Sequence, residues 1–268
     1  MSMSDVPEIV ESAKVTQESY SSPHDKLVRN GEYRPNVLKS AYDGNLDQVF
    51  SDLDTPESVE DSIFMPARII RGIADARVED PSIPLQVYID SIDAAKSIYA
   101  DELDSKLRMQ DLHTELQENY PQVLDRRIKQ SADAGTVHAG APEFSERTVQ
   151  QMEEILNGRD FVLVPLAHGG VAIGIDVFLR ATSDSRYQES IVLPVRYSRN
   201  KMKDEHPQID PEMDQFFQEQ IRNGKPIVIF EEDRNTGITG GNALAYFQEK
   251  YPDAEVHSLY NRDNFDDW

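Results

Sequence analysis

The chain has no cysteine and a single tryptophan among its 268 residues. The first absence excludes disulfides and thiolate metal sites. It also fits a reducing compartment, and the cytoplasm is the expected location. Long apolar runs are missing as well. No stretch approaches the roughly 18 consecutive apolar residues of a spanning helix, so no membrane partner is expected. The opening residues, MSMSDVPEIVES, lack a basic stretch followed by an apolar one, so no secretory leader is expected. Bases are scarce: 27 Lys and Arg stand against 49 Asp and Glu, a formal net charge of −22. Such a balance repels nucleic-acid backbones, and no nucleic-acid partner is expected. Both a salt-rich cytoplasm and one strongly acidic domain account for it, and composition does not choose between them. An anionic ligand would need local compensation from backbone amides, Mg²⁺ or a few arginines and lysines.

What is present divides into three parts. Residues 1–33 are polar, and Ser21-Ser22-Pro23 interrupts any helix, so an arm without fixed structure is expected. Residues 34–143 read as a mostly helical region. Val37, Leu38, Ala41, Leu46, Val49, Phe50 and Leu53 suggest a helix broken at Gly44-Asn45. Asp54-Thr55-Pro56-Glu57 is a helix start, and that helix should run to about Ala76 with a kink at Pro66. A long helix is expected over 85–118, with Ile89, Ile92, Tyr99, Leu103 and Leu107 as its apolar stripe and His113 solvated near its end. A short helix is expected over 121–130, then a linker over 131–143. This region could cap the rest or make a homodimer.

Residues 144–268 alternate between strand and helix patterns. A helix should open at Ser145 and stop at Asn157-Gly158. Strands are expected at 161–166, 191–195, 227–230 and 254–259, with helices at 171–180, 213–223 and 240–251 between them. This order predicts an α/β fold, a doubly wound parallel sheet preceded by the helical region. Ligands of such sheets sit outside the carboxyl ends of the strands. Three loops fall there: 167–170, 197–212 and 231–239.

The last of these carries the most chemistry. An apolar strand (Ile227, Val228, Ile229, Phe230) runs into Glu231 and Glu232, then a turn rich in Gly and Thr, then a helix. Helix N-termini offer free N–H groups to a phosphate. Threonine hydroxyls add donors, and acids at the strand end can accept from neighbouring sugar hydroxyls.

This run resembles the phosphoribosyl pyrophosphate (PRPP) signature of the type I phosphoribosyltransferases: four apolar residues, two acids, three variable residues, Thr-Gly, one variable residue, Thr. Here these are residues 227–230, Glu231-Glu232, Asp233-Arg234-Asn235, Thr236-Gly237, Ile238 and Thr239. Two positions depart from the pattern. The second acid is usually Asp and is Glu232 here, and the usually apolar pair after it is Asp233-Arg234. The resemblance covers about residues 145–260 and implies a phosphoribosyltransferase-like domain with Mg²⁺ as cofactor and a phosphorylated sugar or nucleotide as ligand. It implies that Glu231 and Glu232 hold the ribose hydroxyls, directly or through the metal, with Asn235 as the third catalytic candidate. Asn235, Thr236, Gly237, Ile238 and Thr239 would wrap the 5-phosphate. Purine-type members often have Asp where Asn235 stands, and Asn cannot accept a proton at neutral pH. The loop after the first strand, with His168, Gly169 and Gly170, matches the place of the pyrophosphate loop. Residues 197–212, with Arg199, Lys201 and Lys203, match the place of a mobile loop. The segment after the fourth strand is too short for the family's hood, so the helical region would have to supply it. The alternative is a non-catalytic module of the same fold that binds PRPP or a nucleotide and signals through that region.

Overall fold

The computed structural model describes residues 20–29, 42–54, 59–130, 138–183, 185–198, 204–234 and 236–263. Its second half is built on β3 (Val162–Ala167), a strand buried at every position. An uninterrupted apolar run such as VLVPLA suits a strand covered on both faces. On one side β3 pairs in parallel with β4 (Ile191–Val192) and then β5 (Val195–Arg196). On the other side it pairs in parallel with β6 (Ile227–Asp233), and β6 with β7 (Val256–Arg262). The register runs Val162↔Ile227 to Pro165↔Phe230, then Ile227↔Val256 to Asp233↔Arg262.

The expected second strand, 191–195, is therefore two short segments. Pro194 has no N–H for the ladder, so pairing lapses there. Its carbonyl instead accepts from the Tyr88 hydroxyl at 2.9 Å. From β3 the chain steps to one side for β4 and β5, then crosses to the other for β6 and β7. The order reverses between β3 and β6, and their carboxyl ends frame a crevice.

Helices α7 (Pro142–Leu156) and α8 (Gly170–Thr182) pack against each other. Helices α9 (Pro211–Arg222) and α10 (Ile238–Lys250) share a ring cluster in which Phe217 meets Phe247 at 5.4 Å. Helix α7 begins at Pro142, three residues before the expected start, because Pro at the first helical position is already set for helix. It ends where expected, with Asn157 in the left-handed region at φ 51°.

The first half holds α1 (Pro23–Arg29), β1 (Tyr42–Asn45), α2 (Leu46–Asp54), α3 (Val59–Glu79), α4 (Leu85–Tyr99), α5 (Ser105–Asn119), α6 (Pro121–Leu124) and β2 (Arg127–Gln130). Four expectations are corrected. Residues 20–29, read as part of a loose arm, are a docked segment. Ser22 and Asp25 exchange backbone-to-side-chain bonds at 3.1 and 2.8 Å, a capping box that starts a helix at Pro23. Arg180 of α8 then binds both Ser22 and Asp25. The helix expected over 85–118 is two. Asp101 adopts φ 58°, and the Glu102→Ser97 and Asp101→Ile98 backbone bonds close a Schellman turn. Beyond it Leu103 and Leu107 are exposed rather than part of a stripe. Residues 127–130 are a strand, because β1 lies antiparallel beside them with Gly44↔Ile128. His113 is not merely solvated: it contacts Asp47 at 2.7 Å and stacks on Phe50. The linker residues 131–137 and most of the expected arm lie outside the described residues.

One apolar core runs through both halves, from Leu46 to Tyr251. Helix α3 is the hinge of this union, packing on α2, α4, α8 and β5. Its Arg77, 2% exposed, binds Asp210 at 2.6 Å and Glu212 at 3.3 Å at the start of α9. At the far edge, fully buried Asn261 donates to the Ala139 carbonyl (2.6 Å) and the Ser145 hydroxyl (3.3 Å) and accepts from Thr148 (2.8 Å). An Asn261→Ala exchange strands these groups in a dry interior. The expected loss is about 2–4 kcal/mol of unfolding free energy in urea titration; a loss within ~0.5 kcal/mol would show that β7 is not held this way.

Candidate functional site

Strand β6 runs through the acid pair instead of ending before it, and this decides what the acids do. Successive side chains of a strand point to opposite faces. Glu231 therefore turns toward α10 and Glu232 toward the turn between β3 and α8. The two acids expected to hold the ribose hydroxyls therefore leave the strand on opposite faces.

Glu231 accepts from the backbone N–H of Gly240 at 3.0 Å and from the Thr239 hydroxyl. Burial pushes its pKa up to about 7, and the charge of Asp233 adds to that, against the pull of these two donors. The helix opens at Ile238, two residues earlier than expected, because Gly237 takes φ +66° and turns the chain into it. Thr236 caps weakly, with its hydroxyl 3.4 Å from the Ile238 N–H, and Ile238 is half exposed. Tyr260 leans on the loop, its hydroxyl 3.5 Å from the Gly237 carbonyl. The phosphate-loop candidates Thr236, Gly237, Ile238 and Thr239 are thus together at one helix start, with Glu231 already bonded into it. Asn235 lies outside the described residues.

Glu232 lies against the other candidate loop. A Cβ on Gly169 would sit 1.7 Å from its Oε1, so a side chain there would push this carboxylate aside. Gly170 is next to it, at 3.4 Å from Oε2 on the same measure. The structure thereby brings Gly169 and Gly170 to the acid pair across the β3–β6 crevice. Arg199, Lys201 and Lys203 lie outside the described residues.

The cations that do reach the crevice come from elsewhere. Helix α3 carries Arg71 and Asp75, four residues apart and so on one face. His168 and Asp75 meet at 3.1 Å. Burial and the nearby Arg71 and Arg196 lower the pKa of His168, while Asp75 opposes the shift. Asp75 is itself held below the usual carboxylate range by His168 and nearby arginines, against its burial. A neutral His168 beside an ionised Asp75 must donate from Nε2. Burial pushes Arg71 down to about 10, opposed by the charges of Asp75 and Glu232. Arg196, at the end of β5, binds Asp204 at 2.9 Å and lies 3.6 Å from Asp75. Arg71 and Arg196 thus lie near Asp75, Asp204 and Glu232, with Arg126 also acting on Asp75 and Arg68 on Arg71.

Sequence reading missed Arg71, Asp75, Arg196 and Asp204. The available signal was the polar pair Arg71 and Asp75 inside the apolar helix pattern of 63–76, which needs polar partners if that helix is buried. Among the described residues, no group of three His, Cys, Asp or Glu is placed to hold a metal ion by itself. No helix among them is long and apolar enough to cross a membrane. Comparison with protein-family models, with curated proteins and with solved structures found no match.

The Glu231 shift has a definite sign. Its folded pKa of about 7 lies above the ordinary 4.5, so the folded state holds an extra proton between these values. Stability therefore falls as pH rises from about 4.5 to 7 and is lower by a constant amount above that. Glu231→Gln should abolish this slope, leaving stability alike at pH 4.5 and raised by ~1–3 kcal/mol at pH 8. Urea titrations at the two pH values check it, and a variant less stable than wild type at pH 8 would contradict it.

Proposed function

We propose that the chain binds a phosphorylated, pyrophosphate-bearing sugar of the PRPP type in the β3–β6 crevice and transfers its phosphoribosyl group to a nitrogenous acceptor. The observation that carries this reading is the meeting, at adjacent strand ends, of the Gly169-Gly170 turn and the Glu231-to-Thr239 segment. Each loop alone has a mundane account. Their convergence where the strand order reverses is where an open parallel sheet places ligands.

The chain's own groups divide the work by position. Gly237, Ile238, Thr239 and Gly240 present the start of α10 to the 5-phosphate. The phosphate takes over the N–H that Glu231 now holds. Glu231, released, and Glu232 are then available to the ribose hydroxyls from the two sides of β6. Arg71 and Arg196 draw the pyrophosphate toward the β3 turn, where His168 keeps its Nε2–H on Asp75 and has only Nδ1 left, as an acceptor. Displacement at the anomeric carbon frees pyrophosphate, whose growing charge these cations stabilise.

Mg²⁺ fits this site in one way only. The described residues form no carboxylate cage, but Mg²⁺ commonly binds through one or two carboxylates plus substrate phosphates. Glu232, at the turn, is the residue that would face it. The metal would supply positive charge beside Glu232 and the substrate phosphates. The helical region, through α3, takes the place of a hood.

A second reading is a non-catalytic module of the same fold. It is favoured by Glu231, which fills the phosphate loop's own N–H in the ligand-free chain. Two measurements separate the readings. Calorimetric titration with PRPP should show binding that needs Mg²⁺ and disappears in Glu231→Ala/Glu232→Ala. Absence of wild-type binding, at low and at molar salt, would end the transferase reading and leave the module only as a nucleotide binder. Pyrophosphate release that depends on an added nitrogenous acceptor supports transfer; tight PRPP binding without release, across an acceptor panel, supports the module.

A further inference from the structure

The sheet ends on β7, and no strand lies beside its outer edge among the described residues. Ile227 donates its N–H to the Glu255 carbonyl at 2.9 Å, so Glu255, His257 and Leu259 turn their main-chain groups toward β6. Val256, Ser258 and Tyr260 turn theirs outward. Past Tyr260 the phase changes: Arg234 donates to the Arg262 carbonyl at 2.9 Å, and the Asn261 carbonyl accepts from Arg147 of α7 at 3.2 Å. A row of outward donors and acceptors is a template for another strand, and folded proteins cover or blunt such edges.

A groove of about 600 Å³ runs along this edge. Its walls include Gln151, Glu154 and Ile155 of α7 and Ser258, Leu259 and Tyr260 of β7. An extended segment suits that shape, with backbone pairing on one side and a helix flank on the other. A second copy of the chain suits it poorly. An edge-to-edge twofold would bring another α7 to the side where Arg147 already reaches over the edge. Each copy also carries a net charge of −22.

The chain itself supplies a nearer occupant. Tyr20, whose hydroxyl donates to Asp176 at 3.1 Å, lies beside α7 and shares a second groove with Glu146, Gln150 and Glu153. Each of these helix positions is one residue before Arg147, Gln151 or Glu154, so the two flanks lie ~100° apart around α7. Residues 1–19 precede Tyr20. The path over the helix to the edge is on the order of 20 Å, which takes about six residues at ~3.3 Å each. Of the two adjacent β-branched pairs in 1–19, Val15-Thr16 falls within that crossing and Ile9-Val10 beyond it. Glu8 and Glu11 flank Ile9-Val10, and the groove offers Arg147 and Arg234 beside Glu154 and Asp263. In a strongly acidic chain, that balance of charge admits an acidic segment. We propose that residues 8–12 lie in this groove as an extended strand paired to the outer edge of β7. None of this rests on the transferase reading.

Amide hydrogen exchange, read by NMR at Val256, Ser258 and Tyr260, tests the assignment. In the full chain these outward N–H groups should exchange at least ~10-fold more slowly than in a chain that starts at Tyr20. Ile9→Pro/Val10→Pro in the full chain should speed them equally, because proline removes donors of the added strand and touches nothing in β7. The inward N–H groups of His257 and Leu259 should be unchanged in all three proteins. If the shortened chain loosens them as well, the proline variant decides the matter. Equally fast exchange in the full chain and the proline variant would overturn the proposal. Slow exchange that survives both changes would overturn it too, and if that slowing fades on dilution, a second copy covers the edge.

Discussion

The buried charge on helix α3 is the constraint on which the rest depends. Arg68, Arg71 and Asp75 enter the interior on one face of a helix buried along nearly all of 63–77, and Arg77 enters it on the opposite face. Charges leave water only with partners, and a broken partnership costs several kcal/mol. Arg68 finds Met65 and the Tyr42 ring within the helical region. Partners outside it include His168 after β3, Arg196 at the end of β5, Glu232 in β6, and Asp210 and Glu212 at the start of α9. The helical region therefore has to sit over the carboxyl end of the sheet, in register with it. Apolar burial supplies the general drive for the two halves to join, and these pairs fix where they join.

That docking also shapes the site. An α/β sheet with a reversed strand order leaves a crevice open at its carboxyl edge. Here α3 closes part of it and lowers its polarity. The consequences are legible in the titrating groups: burial lowers His168 and lowers Arg71, while on the other face of β6 burial raises Glu231. Shifts of that kind at one end of the sheet mark where the protein holds groups away from their preferred state. Perturbed groups of this sort gather at functional sites more often than elsewhere. The chain's large negative charge gives the same crevice a further property. There the carboxylates of Asp75, Asp204 and Glu232 stand close to the arginines Arg71 and Arg196 rather than to water alone.

Edges of the fold show how far local sequence can mislead. The apolar pattern of 85–118 carried on past Tyr99, but a left-handed Asp101 ended the helix and left Leu103 in solvent. Residues 127–130 had the spacing of a helix and became a strand, because Tyr42 to Asn45 lay beside them to pair with. Ser21-Ser22-Pro23 looked like a break and was a start, since Ser22 and Asp25 cap one another. Each miss has the same cause: a capping bond or a distant partner outweighed a periodic pattern only a few residues long.

The sequence by itself determined the α/β character of the second half and the order of its elements. Buried parallel strands need continuous apolar runs, and those of 162–167 and 227–230 are visible without any partner. It also marked the turn glycines and the acid pair, because acids at the end of such a strand are costly unless used. What only the tertiary structure decided was where these groups point and what meets them. Strand pleat sent Glu231 and Glu232 to opposite faces, so neighbours in sequence became parts of two loops. Helix docking brought Arg71 and Asp75 across some ninety residues of chain to His168. Neither outcome has a local signature, since a side chain's direction follows from strand length and a buried charge's partner from the packing of the whole.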